Sequence, residues 1–365
     1  MVLVHDWLTG MRGGEKVLAV LCRMFPDADL LTLVHARGSV TRAIEGRRVR
    51  TSIIQRLPGA TRFYRQYLPL FPVAIEGFDL DDADLVISSS HCAAKAVVPP
   101  GRAVHVCYCH SPMRYAWDQF PHYFGPERVG PLLSRLAQPA MAAMARWDRA
   151  TARRVHRFLA NSQYVAGRIA RYYNRQASVL YPPVDTHFFT PGDEPPEPYL
   201  LVVSALVPYK RLELALSAAA RLDLPLKIVG TGPDLARLRG LAGPGVEFLG
   251  ALDDEALRGV YRRARAVLMP GEEDFGIVPV EAMACGRPVV ARARGGAVET
   301  VVHGRTGVLV DSDRPEAFAE AIAALDDLTL DPAAARAQAE RFSIAVFERG
   351  FRAAVAETLA AQAAC

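Results

Sequence analysis

The sequence predicts two α/β domains in tandem, each a parallel sheet wound with helices. Three observations carry this reading. A length of 365 residues exceeds one ordinary domain and suits two of ~150–200. From residue 199 onward, short apolar runs alternate with amphipathic stretches, as strands do when helices cover both faces of a sheet. Between the halves, Pro182-Pro183, Pro191-Gly192 and Pro195-Pro196-Glu197-Pro198 punctuate an acidic linker. The predicted boundaries are 1–185, 186–341 and a terminal helical segment, 342–365.

The first half reads as strand Val2–His5, a glycine loop, a helix from Gly13 to Phe25, and strands at Leu30–Val34, Asp84–Ser88 and Val104–Cys107. Helical periodicity returns from Leu132 to Tyr173, interrupted at Phe158–Ser162 by a strand ending in a helix cap. Val179–Tyr181 is its last strand.

The second half gives strands Tyr199–Ala205, Leu226–Val229, Val246–Leu249, Ala266–Met269, Pro288–Ala291 and Gly307–Val310. Helices are expected at Lys210–Leu222, Pro233–Leu241, Asp253–Ala264, Val278–Cys285, Pro315–Leu325 and Phe342–Ala361. Doubly wound units hold ligands beyond the carboxyl ends of their strands, so function is sought in the loops there, in a cleft between the domains.

Composition narrows the class. With 51% apolar and 22% charged residues the chain can bury a large core, which excludes bulk disorder. No apolar run approaches the ~18–20 residues of a membrane span. The opening MVLVHDWLTG lacks the basic and apolar regions of a signal peptide. Cys22, Cys92, Cys107, Cys109, Cys285 and Cys365 include no C-x-x-C pair, so neither a disulfide framework nor a zinc site is expected. A reduced, cytoplasmic protein follows.

Charge is uneven. Residues 1–185 hold 24 Lys and Arg against 14 acids, and the remainder 19 against 25. The excess lies in Arg37–Arg65 and Arg146–Arg175, each with eight arginines and one acid. An anionic partner for the first half is one reading, and arginines decorating solvated helices the other.

Four segments carry candidate chemistry. In Met269-Pro-Gly-Glu-Glu-Asp-Phe-Gly-Ile-Val-Pro-Val-Glu281, a strand ends, a turn carries Glu273, and a helix opens near Gly276 and Ile277 with Glu281 inside it. Free amides at such a helix start suit a phosphate, and two flanking carboxylates suit hydroxyls, which together suggest a sugar nucleotide; a helix-capping acidic turn with a surface Glu is the other reading. Lys210-Arg211 follows the first strand of the second half, where bases oppose a helix dipole unless an anion shares the site. Gly13 and Gly14 follow the first strand of the chain and allow close approach to a diphosphate. That loop is neither a G-x-G-x-x-G fingerprint nor a P-loop, which counts against a dehydrogenase and a P-loop NTPase. Finally, His110, Arg114, Tyr115 and Trp117 follow another strand and can form a polar wall for a sugar. The acid-x-acid strings at Asp27, Asp82 and Asp311 read as solvated turns.

Together these segments resemble glycosyltransferase family 4, retaining enzymes of the GT-B fold. The resemblance rests on EDFGIVPVEAMACGRPVVA around Glu273 and Glu281, supported by GGEK, YCHSPMRYAWD, ANSQYVAGRI, YPPVDT, SALVPYKRLELAL, VGTGPD and HGRTGVLV, and spans the chain. The YPPVD and HSPMRYAWD forms look most like bacterial O-antigen and exopolysaccharide mannosyltransferases.

The resemblance implies two Rossmann-like domains facing across a cleft, an acceptor-binding one first and a nucleotide-sugar-binding one second, with the terminal helix returning to the first. It implies that Glu273 binds the donor sugar, Glu281 the ribose and Lys210 the diphosphate, aided by amides at Gly14 and Gly276–Ile277, and that His110 lies at the anomeric centre. It implies no metal and no cofactor. GDP-mannose is the favoured donor, and the acceptor is a saccharide or a polyprenyl-diphosphate-linked one. No nucleic acid is expected, and peripheral contact with an anionic inner membrane face is. One departure stands out: many members carry Arg where this chain has Ala205, so Arg211 or Arg12 is the candidate to complete a phosphate clamp. An epimerase or a phosphorylase of the same fold, or a non-enzymatic nucleotide-binding protein, are the alternatives; a phosphorylase needs a pyridoxal lysine the match does not offer.

Overall fold

The apolar runs form strands that pair only in parallel, in one sheet of seven and one of six. The structure, a computed structural model, describes residues 1–364, and of His122 and Arg128 the backbone alone. The chain divides into two compact units, Met1–Pro183 with the segment from Phe347 onward, and Val184–Val346.

In the first unit the strands are β1 (Val2–His5), β2 (Asp29–Thr32), β3 (Val49–Thr51), β4 (Leu85–Ser90), β5 (Val104–Cys109), β6 (Arg157–Ala160) and β7 (Ala177–Val179). They lie in the order β3-β2-β1-β4-β5-β6-β7. β1, β4 and β5 are buried along their length or nearly so, as central parallel strands with both faces covered must be. One face packs Val4, Leu31 and Val86 against Phe71, Ile75 and Met144. The same face continues, in register, with Cys107 and Phe158 against Val165, Ile169 and Tyr173. The helix Gln163–Tyr173 starts where expected, because the Ser162 hydroxyl accepts the Val165 amide at 3.0 Å. From Phe347 the last helix, Ile344–Ala363, packs on this unit, with Phe347 5.4 Å from the Tyr108 ring and Arg157 2.7 Å from Glu357.

The second unit holds β8 (Leu200–Val203), β9 (Leu226–Val229), β10 (Val246–Gly250), β11 (Ala266–Met269), β12 (Val289–Arg292) and β13 (Gly307–Val310) in the order β10-β9-β8-β11-β12-β13. Leu200, Val202, Ile228, Leu268 and Val290 meet Leu216, Phe318 and Ile322 from the helices. Asp253 caps Asp254–Arg263 through the Ala256 amide at 2.8 Å, as its position suggests.

Some boundaries differ from expectation. β7 ends at Val179 rather than running from Val179 to Tyr181: Leu180 still donates to Ala160 O at 2.9 Å, and the Pro182-Pro183 pair then offers no amide to the ladder. β2 stops at Thr32, two residues before the expected Val34, because Leu33 donates instead to Asp6 O at 3.1 Å. Lys210 does not open a helix. It ends a tight turn, Pro208–Lys210, and Arg211, in the left-handed region at φ 55°, precedes the helix Leu212–Arg221. β3 and the helix Pro332–Glu340 went unread, the first because VRT is too short to show a period, the second because PAAARAQAE is dominated by alanine.

The five described cysteines are buried and free; Cys365 lies outside the described residues. Among the described residues no helix is long and apolar enough to cross a membrane.

One buried ion pair ties the first unit's helices to the turn Ala94–Ala96 that follows β4. Lys95 Nζ, 1% exposed, lies 2.9 Å from Asp148 Oδ1 and donates to Asp148 O at 2.6 Å and Thr151 Oγ1 at 3.0 Å. Asp148 Oδ2 accepts from Trp117 Nε1 at 2.8 Å and from the Tyr173 hydroxyl at 3.0 Å. Removing the carboxylate strands a buried ammonium, so Asp148→Ala should cost about 3–5 kcal/mol in urea unfolding. A loss below ~1 kcal/mol would mean the lysine finds water or another partner.

Candidate functional site

Both sheets reverse their strand order once, between β1 and β4 and between β8 and β11. At such a point the loops leave neighbouring strands toward opposite faces and open a crevice beyond the carboxyl ends. Candidate side chains gather at each of these two points.

In the first unit Asp6 follows β1 and is fully buried. Its Oδ2 accepts the amides of His91 and Cys92 at 2.7 and 3.1 Å, and its Oδ1 those of Ala93 and Ala94 at 2.6 and 2.7 Å. The same carboxylate lies 3.0 Å from His91 Nδ1. Burial alone would raise the Asp6 carboxyl, but the His91 charge and hydrogen bond, with His5 nearby, hold it well below the usual carboxylate range. Asp6 thereby fixes the loop after β4 and orients an imidazole that is 31% exposed.

His110 follows β5 and joins a second chain of contacts. Its Nε2 shares a hydrogen bond with Ser89 Oγ at 2.8 Å, and that hydroxyl shares another with His5 Nδ1 at 3.1 Å. His5 Nε2 lies 3.7 Å from Glu15 Oε1, on the first helix, Gly13–Met24. Burial, then the charges of His91 and His5, pushes His110 down to about 3, so the imidazole is neutral at physiological pH. Gly14 lies against both rings: a Cβ there would stand 3.6 Å from His5 Cε1 and 3.7 Å from His110 Nε2. Gly13 is the first residue of that helix.

Of the expected sugar wall, the aromatic members have structural partners. Tyr115 OH lies 2.6 Å from Cys92 Sγ, and Trp117, bonded to Asp148, stacks on Tyr172 at 4.7 Å. Arg114 opens the same short helix, Arg114–Trp117.

In the second unit the loops after β8 and β11 meet. Lys210 Nζ, on a side chain 10% exposed, is hydrogen-bonded to Glu273 Oε1. Two close approaches set this pairing. A Cβ on Gly271 would lie 2.7 Å from Lys210 Cα, and one on Gly296 2.2 Å from Phe275 Cα, so neither position admits a side chain. The Gly296 amide also donates to Glu273 O at 2.9 Å, pinning the turn from the loop after β12.

Gly276, in the left-handed region at φ 86°, begins the helix Ile277–Ala284 with no capping side chain. Glu281 on that helix is 3% exposed and accepts from the Tyr261 hydroxyl at 2.9 Å. Arg211, the candidate to stand in for the arginine absent at Ala205, lies 2.8 Å from Glu213 Oε1 and 3.8 Å from Asp313. Arg12, the other candidate, is exposed and its amide donates to Glu15 at 3.1 Å.

Sequence reasoning missed Asp6, His91, His5 and Glu15 in the first unit and Tyr261 and Gly296 in the second. A charged residue directly after an apolar strand, as in Val4-His5-Asp6 and in Ser89-Ser90-His91, is the signal that was available. Among the described residues no cluster of three His, Cys, Asp or Glu side chains has metal-holding geometry.

The buried histidines make stability pH-dependent. His105 on β5, fully buried, shares a hydrogen bond with Ser88 Oγ at 2.8 Å, and burial pushes it down to about 3. In the unfolded chain it titrates near ~6.5, so the unfolded state binds more protons between that value and about 3. Its contribution is complete above pH ~6.5 and is lost as the pH falls through the window. Urea midpoints should drop between pH ~7.5 and ~5, and His105→Gln should remove about 1.4 kcal/mol per pH unit of that slope. Identical slopes in wild type and variant would show that His105 is not held neutral.

Known proteins match these features. Residues 11–188 match the model for Glycosyltransferase Family 4, and residues 184–342 that for Glycosyl transferases group 1. A D-inositol 3-phosphate glycosyltransferase 2 of Catenulispora acidiphila is 34% identical over 206 residues, 47% of this chain and 48% of that protein. A D-inositol 3-phosphate glycosyltransferase of Mycolicibacterium smegmatis is 34% identical over 210 residues, 50% of this chain and 48% of the relative. The chain thus spans about half the length of the curated relatives it matches. Among solved structures, Anabaena HepE in complex with UDP-glucose aligns at TM-score 0.72 and 20% identity, over 99% of both chains. Sucrose-phosphate synthase from Thermosynechococcus elongatus aligns at 0.71 and 19%, over 99% of this chain and 100% of that one. Two glycosyltransferase family models thus lie end to end over residues 11–342, Family 4 on the first unit and group 1 on the second, and the fold matches that of HepE along the whole chain.

Proposed function

We propose that the protein transfers a hexosyl group, with retention of configuration, from a nucleoside-diphosphate sugar to a hydroxyl of a saccharide or lipid-linked saccharide in surface polysaccharide synthesis. The observation that carries this reading is the Lys210–Glu273 pair at the strand-order reversal of the second unit, with Glu281 on the helix that follows. An ammonium beside a carboxylate suits a ligand that brings both phosphate and hydroxyls. In this reading the donor diphosphate takes Lys210 from Glu273, which then binds sugar hydroxyls. Glu281 accepts from the ribose.

The bond from the anomeric carbon to the β-phosphate oxygen breaks as the acceptor oxygen bonds to that carbon from the same face. The acceptor's proton passes to the departing phosphate oxygen. Charge grows on that phosphate, and the positions of Lys210 and of the amides at Gly276 and Ile277 are suited to stabilise it. No metal or cofactor is assigned. In the first unit, His110, held neutral and hydrogen-bonded to Ser89, is suited to exchange a hydrogen bond with a sugar hydroxyl.

GDP-mannose is proposed as donor on the YPPVD and HSPMRYAWD forms, and UDP-glucose is the competing reading because HepE is described with it. Inositol 3-phosphate, in the relatives' names, is the competing acceptor. Thermal shift with UDP, GDP and ADP sugars separates the donors, since a ligand at 100 times its dissociation constant stabilises by about 2.7 kcal/mol. No shift with any of them overturns the reading. Slow donor hydrolysis without acceptor separates a transferase from a non-enzymatic binder.

Two variants divide the carboxylate roles. Glu281→Gln keeps a partner for Tyr261, so the fold should survive while nucleoside-diphosphate affinity falls about tenfold, the scale of one charged hydrogen bond. Glu273→Gln should leave that affinity unchanged or raise it, because Lys210 is released, while turnover falls a hundredfold or more. Equal loss of diphosphate affinity in both would sink the assignment. Proton NMR of the product from an α-linked donor should show an α-glycoside, and a β-linked product overturns the mechanism.

A further inference from the structure

The Asp6 carboxylate, at the strand-order reversal of the first unit, has more partners than its own burial requires. Oδ1 accepts the amides of Ala93 and Ala94, and Oδ2 those of His91 and Cys92. These four donors fill a group with about four lone-pair sites. The His91 ring is a further contact, with Nδ1 3.0 Å from Oδ2. The four amides hold the loop after β4 without it. The contact therefore serves the imidazole rather than the aspartate.

Two restraints fix that ring. Oδ2 takes both the backbone amide and the Nδ1 of His91, which anchors the side chain at its base and at one ring nitrogen. Trp7, 6% exposed, meets it edge-on, with ring centres 4.4 Å apart and planes at 87°. Held in this way, the His91 side chain still keeps 31% of its surface in solvent, whereas His5 on β1 and His105 on β5 are wholly buried. A carboxylate can only accept, so Nδ1 carries the hydrogen, and Nε2 is the nitrogen left for a ligand. A ring needed for packing alone requires neither the anchor nor the opening.

The surroundings select the ligand. Asp6 and Glu15 are both held below the usual carboxylate range with His91 among the causes, so two negative charges stand near this imidazole and oppose an anion beside it. A hydroxyl brings no charge, and it can donate to a bare Nε2 or accept from Nε2–H. His110, suited to a sugar hydroxyl in the reading above, has its ring centre 6.4 Å from that of His91. Two imidazoles at that spacing can face two adjoining sugars.

We propose that His91 Nε2 exchanges a hydrogen bond with a hydroxyl of the acceptor saccharide, and that Asp6 is the positioning residue that aims it. This rests on the transfer reaction proposed above and names the residues that hold its acceptor. His91 takes no proton from the reacting hydroxyl, which passes its own to the departing phosphate.

The test uses the full chain with GDP-mannose and UDP-glucose as donors, and octyl α-mannoside, octyl β-glucoside and inositol 3-phosphate as acceptor probes. His91→Asn keeps an amide that can donate to Asp6 and removes the outer nitrogen. Its acceptor KM should rise about tenfold, the scale of one hydrogen bond, with a smaller change in kcat and a donor KM within about twofold of wild type. His91→Gln carries an amide as far out as Nε2 and should recover part of that loss. Asp6→Asn should raise acceptor KM alone and add nothing to His91→Asn, a coupling that general loosening of the fold does not produce. Ring NMR of protein saturated with GDP or UDP reads the contact without turnover and stands even where Asp6→Asn does not fold. The His91 signal, assigned by its loss in His91→Asn, should shift with an acceptor probe, and that of buried His105 should not.

An unchanged acceptor KM in His91→Asn, or a His91 signal that none of the three probes moves, overturns this inference and leaves the transfer reading intact. Equal losses in donor and acceptor KM would make His91 a purely structural residue and overturn it too. Wild type that neither hydrolyses nor transfers from either donor overturns the transfer reading, and this inference with it.

Discussion

One constraint organises both units: a sheet of parallel strands reverses its order once, and every loop on its carboxyl edge must reach a helix on one face or the other. At the reversal two loops part, and the sheet cannot fill the space between them. The gap in the first unit falls between β1 and β4, which places Asp6 and His91 on its two sides. In the second it falls between β8 and β11, which places Lys210 and Glu273 on its two sides. Each unit closes its gap with one carboxylate and one nitrogen. The geometry is dictated by topology before chemistry enters.

The two pairs differ in what surrounds them, and the difference is physical. Asp6 has four backbone amides as well as His91, and no exposure, so its charge belongs to the fold as much as to any ligand. Glu273 keeps 24% of its side chain in solvent, and its partner is a flexible ammonium rather than a row of fixed amides. A carboxylate held by amides cannot exchange partners without unfolding its loop. One held by a lysine can. The second pair is therefore the exchangeable one, and it is on the turn closed by Gly271 and Gly296 that a sequence change would be felt first.

Sequence legibility follows the range over which each feature is encoded. Strands of four or more apolar residues and caps such as Ser162 and Asp253 are local, and they stand where the sequence puts them. Lys210 and Glu273 stand out in the sequence because both lie in loops that follow apolar strands, although nothing local shows that they touch. The left-handed Arg211 and the turn before it were not readable, because a non-glycine residue at φ 55° depends on tertiary packing. Asp6 and His91 lie 85 residues apart, and only the adjacency of β1 and β4 brings them together. Tyr115 and Trp117 illustrate the converse: their residue types suggested a ligand wall, and the fold gives them to Cys92 and Asp148.

The histidines show how burial sets chemistry without a motif. His5, His91, His105 and His110 all lie on or directly after the central strands of one sheet, yet their environments separate them. His105 meets a hydroxyl and a backbone carbonyl in the core, and its burial outweighs that carbonyl and keeps the ring neutral. His91 faces a buried carboxylate and keeps a path to solvent. His110 lies between these cases, linked to Ser89 and within 6.4 Å of the His91 ring. A charge on His91 opposes one on His110, and burial opposes it further. A buried, neutral imidazole beside one that faces a carboxylate and keeps a path to solvent is an arrangement that a packed core alone would not require.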